Sequence, residues 1–136
     1  MSLERIVDDA KELINSPKGY LLATTILVGA TITDILTTQT LFNDATHLAA
    51  RAGIDIWKDL LAGEGGSFGK YIISTYGFEA IVSFKLLAAA SVAYLGAKIP
   101  VARYASIISG TYLTYVSAQN LIVYYNLLPL IHHLTN

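Results

Sequence analysis

The chain has 136 residues and a net charge of −1; 54% of it is apolar and only 14% charged, against roughly a quarter charged in an ordinary globular domain. A soluble domain of this length has too little interior to hide so much apolar surface. No face gathers enough Lys and Arg to follow a nucleic-acid backbone, and the absence of cysteine excludes disulfide and thiolate chemistry.

Residues 2–15 read as an amphipathic surface helix. Leu3, Ile6, Val7, Ala10, Leu13 and Ile14 recur at helical spacing, Glu4, Arg5, Asp8, Asp9, Lys11 and Glu12 fill the other face, and Ser2 is placed to cap it. Asn15-Ser16-Pro17 ends it, because a residue before proline avoids the helical region. A cleavable signal is not expected here, since mixed charges precede an apolar run too long for one.

The first crossing is predicted over 19–42, where Asp34 and the Tyr20 phenol are the only ionisable groups. Residues 43–70 are the least apolar and are expected to form an outer loop, with an interfacial helix between His47 and Leu61. Trp57 beside Lys58 suits a headgroup region, and Gly63-Glu64-Gly65-Gly66 breaks any helix. The second crossing lies within 71–99. Either it begins near Tyr71, or Gly77 breaks it and it covers 77–99; the second register is the better fit, because Phe78 to Ile99 already suffices to span. After a tight turn at Lys98, Pro100 and Arg103, the third crossing is predicted over 101–128. The first and third runs each exceed the roughly 20 residues that cross a hydrocarbon core.

The resulting fold class is all-α: a polytopic membrane protein of three transmembrane helices in a single domain. Arg5, Lys11, Lys18, Lys98 and Arg103 fall on one side, against Arg51, Lys58 and Lys70 scattered through a loop rich in acids. The positive-inside rule then sets the N-terminus in the cytoplasm and the C-terminus outside the cell membrane.

Ionisable groups at membrane depth cost several kcal/mol and normally face a partner inside the bundle. Asp34, Glu79 and Lys85 are the candidates, with Thr33, Thr37, Thr38, Gln39, Gln119 and Asn120 as neutral company. Asp34 precedes Phe42 by eight residues and Asn120 precedes Leu128 by the same number, which puts both roughly 12 Å below the outer helix ends. In the earlier register Glu79 shares that depth and the three form a cation or proton site. In the later register Lys85 comes within a turn of Asp34, giving a buried ion pair that fixes helix register.

Small residues recur at Gly29 and Thr33 on the first crossing, and at Ser106, Gly110 and Thr114 on the third. Such spacing lets helices approach closely, within the chain or between copies. Tyr124 and Tyr125 are most simply an aromatic belt. His132 and His133 are adjacent, so they do not share a helix face, and His47 is remote; no metal site or haem is expected. No phosphate loop or nucleophile motif occurs.

The order of these residues resembles a small uncharacterised family of prokaryotic three-helix membrane proteins. Its first helix carries Asp-x-x-Thr, here Asp34-Ile35-Leu36-Thr37; its second has an aromatic shortly before a lysine, here Phe78 or Phe84 with Lys85; a short basic turn follows, here Lys98 to Arg103. Where that family has Glu-x-Asn-Pro after the first helix, this chain has Phe42-Asn43-Asp44-Ala45. The resemblance implies a three-helix fold over about residues 20–128 and a linked Asp34–Lys85 pair, and it brings no activity. The expected role is a non-enzymatic structural or accessory subunit without a cofactor, its partners being the lipid bilayer and a second copy or a larger membrane complex. The alternative is an ion, proton or small-solute channel or transporter lined by Asp34, Glu79 and Asn120.

Overall fold

A computed structural model describes residues 2–51 and 67–135. Five helices make up the described chain: α1 over Leu3–Asn15, α2 over Pro17–Arg51, α3 over Ser67–Tyr76, α4 over Phe78–Lys98 and α5 over Ala102–Thr135. Helix α2 packs along α5, and α4 leans against both.

Ser2 opens α1 by accepting the Arg5 N–H at 3.4 Å, and Glu4 sits in the first turn, where the helix dipole favours an anion. Ser16 then serves two helices. Its backbone N–H closes the end of α1 on the Leu13 carbonyl at 3.1 Å. Its hydroxyl accepts the Gly19 N–H at 3.1 Å, capping α2 just ahead of Pro17, whose missing N–H costs nothing in a first turn. The corner is so tight that a Cβ on Gly19 would collide with the Leu13 and Ile14 carbonyls. Helix α2 therefore starts at Pro17, two residues before the predicted crossing.

The expected outer loop over 43–70 is corrected at both ends. Residues 43–51 continue α2 without a break, and α3 begins at Ser67. The expected interfacial helix from His47 to Leu61 thus begins inside α2, and its remainder falls outside the described residues. At about 1.5 Å per residue the whole of α2 is ~52 Å long, well beyond a ~30 Å hydrocarbon core.

Gly77 separates α3 from α4 with φ +89, a left-handed conformation that L side chains resist. Ile72 and Ile73 of α3 bury against Ile81 of α4, with Phe78 and Ala80 alongside. Phe78 also meets Phe42 of α2, ring centroids 5.5 Å apart, so α3 and the start of α4 are pinned to the same end of α2. A turn through Pro100 leads into α5, which runs past Pro129 to Thr135 and not to residue 128.

Among the described residues two helices are long and apolar enough to cross a membrane: Pro17–Asp44 of α2, with mean hydropathy 1.6, and α4, with 1.7. Helix α5 does not join them. Its Ser106, Ser109, Thr111, Thr114, Ser117, Gln119 and Asn120, with five tyrosines, dilute its apolar residues.

Apolar and polar residues are distributed against the pattern of a water-soluble bundle. Only 33% of the α2 span and 17% of the α4 span is buried, and Leu21, Leu36, Leu87 and Ile108 are more than half exposed. The buried set includes Thr31, Asp34, Thr38, Arg103, Ser106 and Ser117.

A candidate functional site at a buried ion pair

The inner seam of α2 follows Ala23, Leu27, Ala30, Asp34, Thr38 and Leu41, all buried. Steps of three and four residues keep such a stripe facing its neighbours. On α5 the matching stripe runs through Ser106, Gly110, Leu113, Ser117 and Asn120.

Asp34 is 1% exposed, and its Oδ2 lies 2.7 Å from Lys85 Nζ, whose side chain is 22% exposed. The later of the two predicted registers is the one present: with α4 starting at Phe78, Lys85 is two turns in and reaches Asp34 across the helix pair. Oδ1 of Asp34 is buried and accepts no hydrogen bond among the described residues.

One turn along α2, Thr37 Oγ1 donates to the Asp34 backbone carbonyl at 3.2 Å. Asn120 Nδ2 donates from α5 to Thr38 Oγ1 at 2.9 Å and to Thr37 Oγ1 at 3.3 Å. Three helices are thus joined by polar contacts at one level, α4 through Lys85 and α5 through Asn120. A groove of about 200 Å³ adjoins the lysine, lined by Leu27, Thr31, Lys85, Ala88 and Ser109 among others. Further along, Asp44 and the Tyr124 hydroxyl share a hydrogen bond, so Tyr124 has a cross-helix contact that an aromatic-belt residue alone does not need.

Glu79 does not join this cluster. It is exposed in the first turn of α4, about 9 Å along the axis from Lys85, where the helix N-terminus favours a carboxylate. The expected grouping of Asp34, Glu79 and Asn120 is corrected accordingly.

The small-residue faces divide. Ser106 is buried, and Gly110 sits against α2 so closely that a Cβ would lie 2.6 Å from Ile26 Cγ2 and 3.1 Å from its backbone. Thr114 is exposed and bonds its own Gly110 carbonyl at 2.8 Å. Successive steps of four rotate a position about 40° each on a 3.6-residue helix, which carries Thr114 off the seam that Ser106 and Gly110 occupy. Of the two uses expected for Gly29 and Thr33, packing within the chain is not the one present among the described residues. Both are exposed, nothing lies within 4 Å of a Cβ built on Gly29, and Thr33 merely bonds the Gly29 carbonyl at 2.8 Å.

Arg103 is the residue that pattern reading under-weighted, as no more than a basic turn. It is 8% exposed. Its Nε donates to the Gly96 carbonyl at 2.9 Å, and its Nη1 to those of Ile14 at 2.7 Å and Ser16 at 2.9 Å. Its guanidinium lies over the Tyr20 ring, 5.5 Å from the centroid. One side chain therefore ties α1, α2, α4 and α5 together. The available signal was an arginine one residue inside a helix that follows a proline turn, close enough to reach the preceding helix end.

Among the described residues no group of three or more His, Asp or Glu gathers that would hold a metal. No family model, curated protein or solved structure matches the chain.

Proposed function

We propose that this chain is an integral membrane protein of three crossings that acts as a non-enzymatic structural or accessory subunit, alone in copies or within a larger membrane complex. The observation that carries the membrane reading is the inverted distribution of residues, with large aliphatic side chains outward and Asp34, Thr31, Thr38 and Ser106 inward. Water would drive the reverse arrangement, whereas hydrocarbon tolerates exposed leucine and requires every polar group to find an internal partner. Helix α5 makes the third crossing, its tyrosines and hydroxyls satisfied within the bundle or at the two interfaces. The subunit reading is supported by the polar links at Asp34–Lys85 and Asn120–Thr38, which hold one arrangement of three helices. Gly29 and Thr33 are exposed, with nothing among the described residues within 4 Å of a Cβ on Gly29, which gives a neighbouring helix room to approach.

Since the chain has no cysteine, single introduced cysteines test this cleanly. In sealed vesicles Leu87→Cys and Ile108→Cys resist a water-soluble maleimide, while Leu3→Cys reacts from the cytoplasmic side only and His133→Cys from the opposite side only. Labelling of Leu87→Cys and Ile108→Cys at the rate of Leu3→Cys removes the membrane reading. Reaction of both ends from one side removes the third crossing.

One observation favours a second reading, passage of a proton, ion or small solute. Among the described residues no donor reaches the buried Oδ1 of Asp34, an acceptor that can take up a proton. In that reading Asp34 and Asn120 line the route. Proteoliposomes loaded with a pH dye test it: flux above empty vesicles that disappears in Asp34→Asn supports conduction over the structural role.

A further inference from the structure

Arg103 has chemistry that its structural contacts do not use up. A guanidinium carries five N–H donors. Nε and Nη1 spend three of them on the Gly96, Ile14 and Ser16 carbonyls, and the two on Nη2 meet no acceptor among the described residues. Among the described residues no carboxylate pairs with Arg103 either; the ion pair found there joins Lys85 to Asp34. A charge that is nine-tenths buried costs several kcal/mol without compensation. The carbonyls at the ends of α1 and α4 offset part of it, because partial negative charge gathers at a helix C-terminus, but they carry no formal charge. They leave a net cation at the bottom of a surface groove.

That groove has a volume of about 440 Å³ and is lined by Asn15, Pro17, Tyr20, Leu21, Ala97 and Arg103. Of its lining residues, the Arg103 guanidinium, the Asn15 amide and the Tyr20 phenol carry donors, and Leu21 and Ala97, both exposed, are apolar. Lys18, one residue past the lining Pro17, and Lys98, one past the lining Ala97, are both exposed. A planar fork of donors suits a phosphate oxygen pair, and a basic pocket between helices at the cytoplasmic level is the sort of place where anionic headgroups settle.

We propose that this groove binds a phosphate group, carried by an anionic phospholipid whose headgroup meets Arg103 and Asn15 while its chains lie along Leu21 and Ala97. The lipid as source rests on the membrane reading above; the phosphate site itself does not. The bound phosphate completes the charge balance of Arg103 and strengthens the clasp on α1, so headgroup occupancy and the docking of α1 are linked.

The test uses the full chain in detergent micelles, with thermal unfolding followed by helical circular dichroism while phosphatidylglycerol, diacylglycerol or inorganic phosphate is titrated in. The expected result is a saturable rise in Tm with phosphatidylglycerol and none with diacylglycerol, which has the chains but no phosphate. Ala97→Trp fills the groove and leaves the guanidinium contacts in place. It is expected to raise the half-saturating phosphatidylglycerol concentration by at least about tenfold, roughly 1.4 kcal/mol. If Ala97→Trp lacks the wild-type helical spectrum, Asn15→Leu takes its place and weakens the same titration. A rise with inorganic phosphate equal to that with phosphatidylglycerol supports the phosphate site and identifies a soluble phosphate as its source. Equal shifts with diacylglycerol, no shift with either phosphate carrier, or an unchanged titration in the groove variant overturns the proposal. Alkaline carbonate extraction of the same chain from liposomes reports on the membrane reading separately: release into the supernatant sinks that reading while the inorganic phosphate arm still decides the site.

Discussion

Lys85 Nζ stands 2.7 Å from one oxygen of Asp34, and the other oxygen of that carboxylate is buried without a donor among the described residues. The pair therefore ties α4 to α2 while leaving half of the aspartate's hydrogen-bonding capacity open. Removing one partner strands the other charge. Asp34→Asn or Lys85→Met alone is expected to cost roughly 3–5 kcal/mol, while the two together recover most of it, read as Tm in detergent. A double variant as unstable as the sum of the singles argues against a pair whose role is structural.

Gly110 and Gly29 make opposite predictions. A Cβ on Gly110 meets Ile26 side chain and backbone at 2.6 and 3.1 Å, so Gly110→Ala is expected to destabilise by about 1–3 kcal/mol through overpacking. Gly29→Ala meets nothing and is expected to stabilise the isolated chain by up to ~1 kcal/mol through helix propensity. Loss of self-association in Gly29→Ala, by cross-linking in vesicles, would place a second copy on that face.

Arg103→Met removes three hydrogen bonds, two of them to the α1–α2 corner. Amide exchange over residues 3–15 should then speed up more than exchange over the α2–α5 seam. Uniform acceleration along the chain would mean that Arg103 supports the bundle as a whole and not the docking of α1.

Asn120→Leu breaks the link from α5 to Thr37 and Thr38. Interhelical hydrogen bonds in membranes average well under 2 kcal/mol, so a fall of about 1 kcal/mol is expected, smaller than for either ion-pair single variant. A loss as large as that of Asp34→Asn would make Asn120 part of the same charged network.

At Gly77, φ +89 with ψ 174 makes any side chain strained, at a cost of roughly 1–3 kcal/mol. Gly77→Ala is expected to lower Tm accordingly. An unchanged Tm would mean that α3 and α4 tolerate one continuous helix.

The polar residues at depth, the helix break at Gly77 and the corner at Pro17 are legible in the chain itself, because each depends on local chemistry: a charge among apolar neighbours, a residue without Cβ, a ring without an N–H. Ser106 and Gly110 are legible as small residues. Their difference from Gly29 and Thr33 is not, since both pairs share one spacing and only the rotation of each helix about its axis decides which faces inward. The polar stretch after Phe42 reads as a loop because composition alone cannot distinguish a helix emerging from the bundle from a chain that has left it.

What the sequence determined by itself is the all-helical class and the short inventory of ionisable groups among long apolar runs. The tertiary structure decided the pairings. Asp34 meets Lys85 and not Glu79 because α4 begins at Phe78, and a helix beginning seven residues earlier would have exchanged them. Arg103 closes the α1 corner because the turn at Pro100 returns α5 beside it. Partner choice depends on register and axial rotation, quantities fixed by how three helices fit together and carried by no single segment.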